Sequence, residues 1–167
     1  MKEKAMNIQI FQNYPSVDEK KLDQLLQREI EINSVKIIVL DDDPTGVQTV
    51  HDVSVYTDWS KESIREGMME KNKLFYILTN SRGLTKDQTI HVHQTIGKNI
   101  AELSKAMEIP CLVISRSDST LRGHYPTETQ ILKDTLEAEG YPEIDGEIIC
   151  PFFQEGGRFT IDDVHYI

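Results

Sequence analysis

The sequence predicts an α/β fold: a mainly parallel sheet with helices on both faces, three layers in all, incomplete at the C-terminus. Short apolar runs such as Val35-Lys36-Ile37-Ile38-Val39-Leu40 and Cys111-Leu112-Val113-Ile114-Ser115 recur along the chain, and fully covered parallel strands show such runs where half-exposed strands alternate. Amphipathic segments of helical period lie between them, which is the pattern of strand, crossover helix and strand. The third observation is bulk: 167 residues, 38% hydrophobic and 28% charged, suffice for one real core and are neither fibrous nor disordered.

Each element has its own justification. Residues 1–34 read as a helical extension ahead of a domain spanning 35–167. Ser16-Val17-Asp18-Glu19 has the form of a capping box, in which hydroxyl and carboxylate satisfy the free amides of a helix start. Leu22, Leu25, Leu26 and Ile30 then recur at helical spacing. That stripe needs an apolar partner, either the domain edge or a second subunit. Residues 35–40 form a strand that runs into three aspartates. Residues 51–57 alternate as a second strand, 60–71 form a short helix, and 73–79 a further strand. Thr85-Lys86-Asp87-Gln88 is another capping box; it opens a long helix with Ile96, Ile100, Leu103 and Met107 on one stripe, over by Pro110. Residues 111–115 form a strand, 127–139 a helix closed by Gly140, and 146–150 a fifth strand.

Charge and cysteine usage narrow the function. Eighteen basic against 28 acidic side chains give −10 at pH 7, which argues against nucleic acid or an anionic membrane as partner, since both need a basic footprint. No apolar run is long enough to span a bilayer, and MKEKAMNIQIFQNYP lacks the apolar core of a signal peptide. The expected location is therefore cytoplasmic. Cys111 and Cys150 both sit in apolar runs and are expected as buried reduced thiols, with a disulfide as the alternative. Neither has a histidine at ligand spacing, so no metal site is expected.

In such sheets ligands bind beyond the carboxyl ends of the strands, which directs attention to residues 41–46, 80–83 and 116–123. The first loop, Asp41-Asp42-Asp43-Pro44-Thr45-Gly46, sets three carboxylates at a strand end. Such crowding is costly unless donors, cations or a hydroxylated ligand stabilise it, and a solvated acidic turn is the plain alternative. Neither GxxxxGK[ST] nor GxGxxG is present. The second loop carries one guanidinium, Arg82, equally suited to a surface ion pair. The third, Ser115-Arg116-Ser117-Asp118-Ser119-Thr120-Leu121-Arg122-Gly123, joins two guanidiniums, a carboxylate and four hydroxyls. Arginine suits bidentate carboxylate recognition and aspartate accepts from sugar hydroxyls, while the hydroxyls also serve turns and caps. As a block the loop points to a small, hydroxylated, anionic ligand.

Asp42-Asp43-Pro44-Thr45-Gly46 together with Asp118-Ser119-Thr120-Leu121-Arg122-Gly123 resembles the four-carbon acid sugar kinases. Pro151-Phe152-Phe153-Gln154-Glu155-Gly156-Gly157-Arg158 and the later Val164-His165-Tyr166 look like that family's third segment, so the resemblance runs from about residue 35 to the end. It implies the sugar-binding N-terminal part of an enzyme that phosphorylates a terminal hydroxyl of an aldonic acid such as threonate or erythronate, with ATP as donor and Mg2+ bridging its phosphates. On that resemblance Asp41, Thr45, Gly46, Arg82, Arg116, Asp118, Ser119, Thr120, Arg122 and Gly123 bind substrate, and Asp42 or Asp43 takes the hydroxyl proton. Two departures touch substrate identity: Arg116 stands where the family more often has Lys, and Pro44 where Leu is commoner. The family's kinases are also longer, with the nucleotide-binding domain following. The expectation is thus a truncated kinase, inactive by itself, in which ATP and Mg2+ belong to the complete enzyme and are not held by this chain.

Two rivals stand beside this. Asp41-Asp42-Asp43-Pro44-Thr45 satisfies the DxDxT of haloacid-dehalogenase-like phosphatases, with Asp41 as nucleophile and Asp43 as acid/base, and Leu78-Thr79-Asn80 resembles their second motif. That reading leaves DSTLRG unexplained and finds no later Lys with an acidic pair. The other rival is a non-catalytic fragment that binds a sugar acid. Among the histidines, His91 and His93 lie two apart on a helix and cannot share a face, while His51 and His124 are expected as structural hydrogen-bonding residues.

Overall fold

Four short apolar segments pair in the computed structural model as one parallel sheet. They are β1 (Lys36–Asp41), β2 (Val55–Tyr56), β3 (Leu74–Leu78) and β4 (Cys111–Arg116), in the order β2-β3-β1-β4. The structure describes residues 9, 12, 15–46, 50–118, 120 and 122–167. It divides into two units, Met1–Ser34 and Val35–Ile167.

In the first unit α1 (Glu19–Ile32) carries Leu22, Leu25, Leu26 and Ile30. Its N-cap is Asp18, whose carboxylate accepts from the Lys21 amide at 3.1 Å. The expected capping box at Ser16 does not form, because the helix begins at Glu19 and the cap must sit directly before it.

In the second unit the parallel strands are joined by helices, as parallel pairing requires: α2 (Lys61–Met69) between β2 and β3, and α3 (Lys86–Met107) between β3 and β4. A last helix, α4 (Thr127–Ala138), follows β4. Strand side chains alternate between faces. Ile38 and Leu40 of β1, Phe75 and Ile77 of β3 and Cys111 of β4 join one core cluster with Ile64 and Met68 of α2, Ile96, Ile100 and Leu103 of α3, and Leu132 and Leu136 of α4. Each such side chain contributes roughly 1.5–3 kcal/mol on burial. On the alternate face, Leu112 and Ile114 of the edge strand β4 are 53% and 42% exposed. Gly67 of α2 has no room for a side chain, since a Cβ there would meet the Phe75 ring at 2.5 Å.

The Thr85 hydroxyl and Gln88 side chain form their capping box at the start of α3. The helix ends at Glu108, in the left-handed region at φ 56°. The Lys36 ammonium, on a residue buried at the start of β1, donates to the carbonyls of Glu70 at 2.8 Å and Asn72 at 2.5 Å. It ties the start of β1 to the end of α2, and burial lowers its pKa.

Three expectations need correction. The strand over 51–57 shrinks to Val55–Tyr56, the two residues that register with Tyr76 and Ile77 of β3; Asp52, at φ 56°, breaks the extended path before them. The strand over 146–150 is absent, and Ile148 is 95% exposed. An apolar run supplies burial but not the partner backbone that a ladder needs. Cys111 is buried as expected, whereas Cys150 is exposed, and both are free thiols. A hairpin also forms, β5 (Phe159–Ile161) with β6 (Val164–Tyr166), whose two turn residues Asp162 and Asp163 both take positive φ, as a tight two-residue turn demands. Among the described residues no helix is long and apolar enough to cross a membrane.

Candidate functional site

The register of the sheet assembles the site. Asp41, the last residue of β1, pairs with Leu78 of β3 on one side and Arg116 of β4 on the other. Three strands therefore end level, and the loops 42–46, 79–85 and 117–126 leave side by side. Backbone bonds stitch them together. The Thr79 amide donates to the Asp41 carbonyl at 2.8 Å, the Arg82 amide to the Asp42 carbonyl at 3.2 Å, and the Asp42 amide to the Arg116 carbonyl at 3.4 Å. Asn80, at φ 52°, turns the second loop back over the first; asparagine tolerates this conformation better than most residues.

The crowded aspartates find donors. Arg82 grips Asp42 with two nitrogens, Nε at 3.1 Å and Nη2 at 2.7 Å, and reaches Asp43 with Nη1 at 2.9 Å. The other Asp43 oxygen accepts from the Thr45 amide at 2.8 Å and from the Thr45 hydroxyl. These Thr45 bonds, more than the nearby guanidiniums, hold Asp43 below the usual carboxylate range. Asp41 is placed differently. Its side chain is 2% exposed, its Oδ1 has no hydrogen-bond partner, and Arg116 Nη1 stands 3.6 Å away. Burial pushes its pKa up to about 6, against the pull of Arg116. Gly46 closes over this carboxylate, since a Cβ on it would fall 1.7 Å from Asp41 Oδ2.

The third loop folds around Asp118. Arg122 donates Nε to Asp118 Oδ2 at 2.5 Å and Nη2 to Oδ1 at 3.2 Å, the Arg122 amide adds 3.2 Å to Oδ2, and the Thr120 hydroxyl donates at 2.5 Å. These bonds, Arg122 foremost, keep Asp118 well below the usual carboxylate range. Arg122 stays 63% exposed, so the outer side of its guanidinium faces solvent. Gly123 passes close to the first loop: a Cβ there would lie 2.7 Å from Ser117 Oγ and 3.1 Å from Asp42 Oδ2. Ser119, expected among the ligand residues, lies outside the described residues.

Arg158 is a member of this cluster that the sequence reading did not place there, with Nη1 3.9 Å from Asp118 Oδ1. It is delivered by the bridge between Phe153 and Arg158, two mutual backbone bonds of 3.0 and 2.9 Å. The Gly156-Gly157-Arg158 turn was the available signal. His124, by contrast, has the structural role expected of it, its Nε2 bonding the Leu84 carbonyl at 2.9 Å, and His51 is exposed beside Asp52.

Aspartates 41, 42, 43 and 118 thus interleave with arginines 82, 116, 122 and 158 at one end of the sheet. The arrangement pairs these charges with one another and leaves the Arg122 guanidinium largely exposed. The loops do not fit an Mg2+ centre: both Asp42 oxygens are committed to Arg82, and among the described residues no group of three His, Cys, Asp or Glu is placed to hold a metal ion. A protein-family profile described as a sugar-binding N-terminal domain matches residues 37–167, which include all three loops. No match was found among curated proteins or among solved structures.

Proposed function

The chain belongs to the sugar-binding N-terminal domain family, and from that premise we propose that its three loops bind a four-carbon sugar acid as the acceptor-binding part of an ATP-dependent kinase. The observation that carries this is the juxtaposition of the DSTLRG loop, folded on Asp118, with the aspartate loop at the end of β1. Acceptors for hydroxyls and an open guanidinium for a carboxylate then lie at one place. In this reading Arg122 holds the ligand carboxylate with the donors that Asp118 leaves unused. Arg82 fixes Asp42 and Asp43, and Asp43, 22% exposed against 3% for Asp42, is the better placed to take a hydroxyl proton. The nucleotide and its Mg2+ are assigned to parts of the enzyme beyond these loops.

Calorimetric titration of threonate and erythronate, and of the matching uncharged polyols, into the chain tests the reading. The acids should bind and the polyols should be weaker by at least about tenfold, the effect of losing a charge-assisted contact. Arg122→Ala should remove that preference for acid over polyol. Equal binding of acid and polyol by the wild type would refute the carboxylate assignment, and no binding of either would refute the sugar-acid reading itself.

A further inference from the structure

The turn that precedes β5 is constructed around one side chain. Phe153 and Arg158 exchange backbone bonds of 3.0 and 2.9 Å, and Gly157, at φ 69°, closes the chain between them. Glycine takes that conformation without strain. Just outside the bridge the Phe152 and Phe159 rings meet edge to face, their centres 5.7 Å apart. The Arg158 guanidinium lies over the Phe153 ring, 5.8 Å from its centre, inside the range in which an aromatic face attracts a cation. The Arg158 side chain is 26% exposed, and its Nη1 faces Asp118 Oδ1 at 3.9 Å.

Arg122 meets the same oxygen. Its Nη2 donates to Asp118 Oδ1 at 3.2 Å while its Nε holds Oδ2 at 2.5 Å. One buried carboxylate therefore gathers two guanidiniums, one from the 116–123 loop and one from the turn before β5. Arg122 is largely exposed, but the edge of its fork formed by Nε and Nη2 is committed to Asp118. A carboxylate ligand brings two oxygens with about four lone-pair sites, more than the remaining edge of one guanidinium can fill. A second guanidinium converging on the same point supplies the difference. The bridge between Phe153 and Arg158 is made of backbone groups and does not itself require an arginine.

We propose that Arg158 is a specificity-determining residue of the site, holding the ligand's carboxylate together with Arg122. The assignment rests on the sugar-acid reading above for the identity of the ligand, while the paired guanidiniums themselves require only a carboxylate. It also orients the ligand. The charged end lies against Arg122 and Arg158, and the hydroxyls run toward the first loop, where Arg82 holds Asp42 and Asp43. A polyol of the same length meets the hydroxyl acceptors and forfeits both cations.

The test has two arms, both on the full chain. In the first, nuclear magnetic resonance follows the Nε–H signals of Arg122 and Arg158 as sodium acetate is added, against sodium chloride at equal ionic strength. Both signals should move along one saturating curve with acetate and hold still with chloride. Arg122 moving without Arg158, or neither moving, overturns the proposal. In the second arm, calorimetry compares threonate with its uncharged polyol in the wild type, Arg158→Ala, Arg122→Ala and the double variant. Arg158→Ala should weaken threonate binding by about tenfold, the effect of one charge-assisted contact, and polyol binding by less than about twofold. The double variant should lose less than the two single losses multiplied, because both side chains act on one ligand group. Equal weakening of acid and polyol by Arg158→Ala, or full multiplication in the double variant, overturns the proposal. Should Arg158→Ala fail to fold, Arg158→Lys, which keeps the charge without the planar fork, should show the same selective loss in smaller measure, and the acetate titration of the wild type stands by itself. A wild type that takes acetate at both arginines but binds no sugar acid overturns the sugar-acid reading alone.

Discussion

Asp41 shows how a single side chain can be read from the sequence and still surprise. Its place at the end of a buried strand was legible; its burial beneath Gly46 and its approach to Arg116 were not, because they depend on which strands and loops become neighbours. Its folded pKa of about 6 lies above the ordinary 3.8, so the folded chain binds this proton more tightly than the unfolded one. The associated stability is full below about pH 4 and is lost as pH rises through about 6, an upper limit on the order of 3 kcal/mol. Asp41→Asn removes the titration. Urea unfolding at about pH 3.5 and about pH 7.5 should therefore show the variant gaining on the wild type by about 2 kcal/mol at the higher pH. Parallel pH dependence of the two proteins would mean that Asp41 ionises freely. The partner choice of Arg82 was likewise hidden, because its pairing across loops follows from the strand order, whereas the Arg122 pair with Asp118 lies within one loop and is open to the sequence.

At the level of elements, short-range chemistry was the most legible. Thr85 and Gln88 cap α3 because every group in that box lies within one turn. Elements that need a distant partner were read less well: 146–150 has a strand's composition without a ladder, and β2 keeps two residues out of seven expected. Lys36 is another long-range device without a sequence signature, since nothing local reveals that its ammonium will reach Glu70 and Asn72. Lys36→Met keeps the apolar stem and leaves both carbonyls without that donor. Urea unfolding should show a loss of about 1–3 kcal/mol, the usual consequence of orphaning buried polar groups. An unchanged midpoint would mean that solvent replaces the ammonium at no cost.

For the whole molecule, the α/β class was legible because parallel strands need crossovers and therefore alternate with helices; the order β2-β3-β1-β4 was not, since no local residue encodes a neighbour. Every side chain assigned to the site comes from Val35–Ile167. A chain beginning at residue 35 should bind a sugar acid within about threefold of the full chain, and calorimetry on both checks it; a larger loss would give residues 1–34 a share in the site. The central position of β1 has a consequence for biosynthesis. Both of its partners, Leu74–Leu78 and Cys111–Arg116, lie later in the chain. As the polypeptide leaves the ribosome, β1 emerges first and waits, apolar and unpaired along both edges. The ladder that completes it can close only once residue 116 is clear of the exit tunnel. Such late, non-local closure lengthens the interval in which a nascent chain is open to aggregation, and β1 is the segment a chaperone would have to shield.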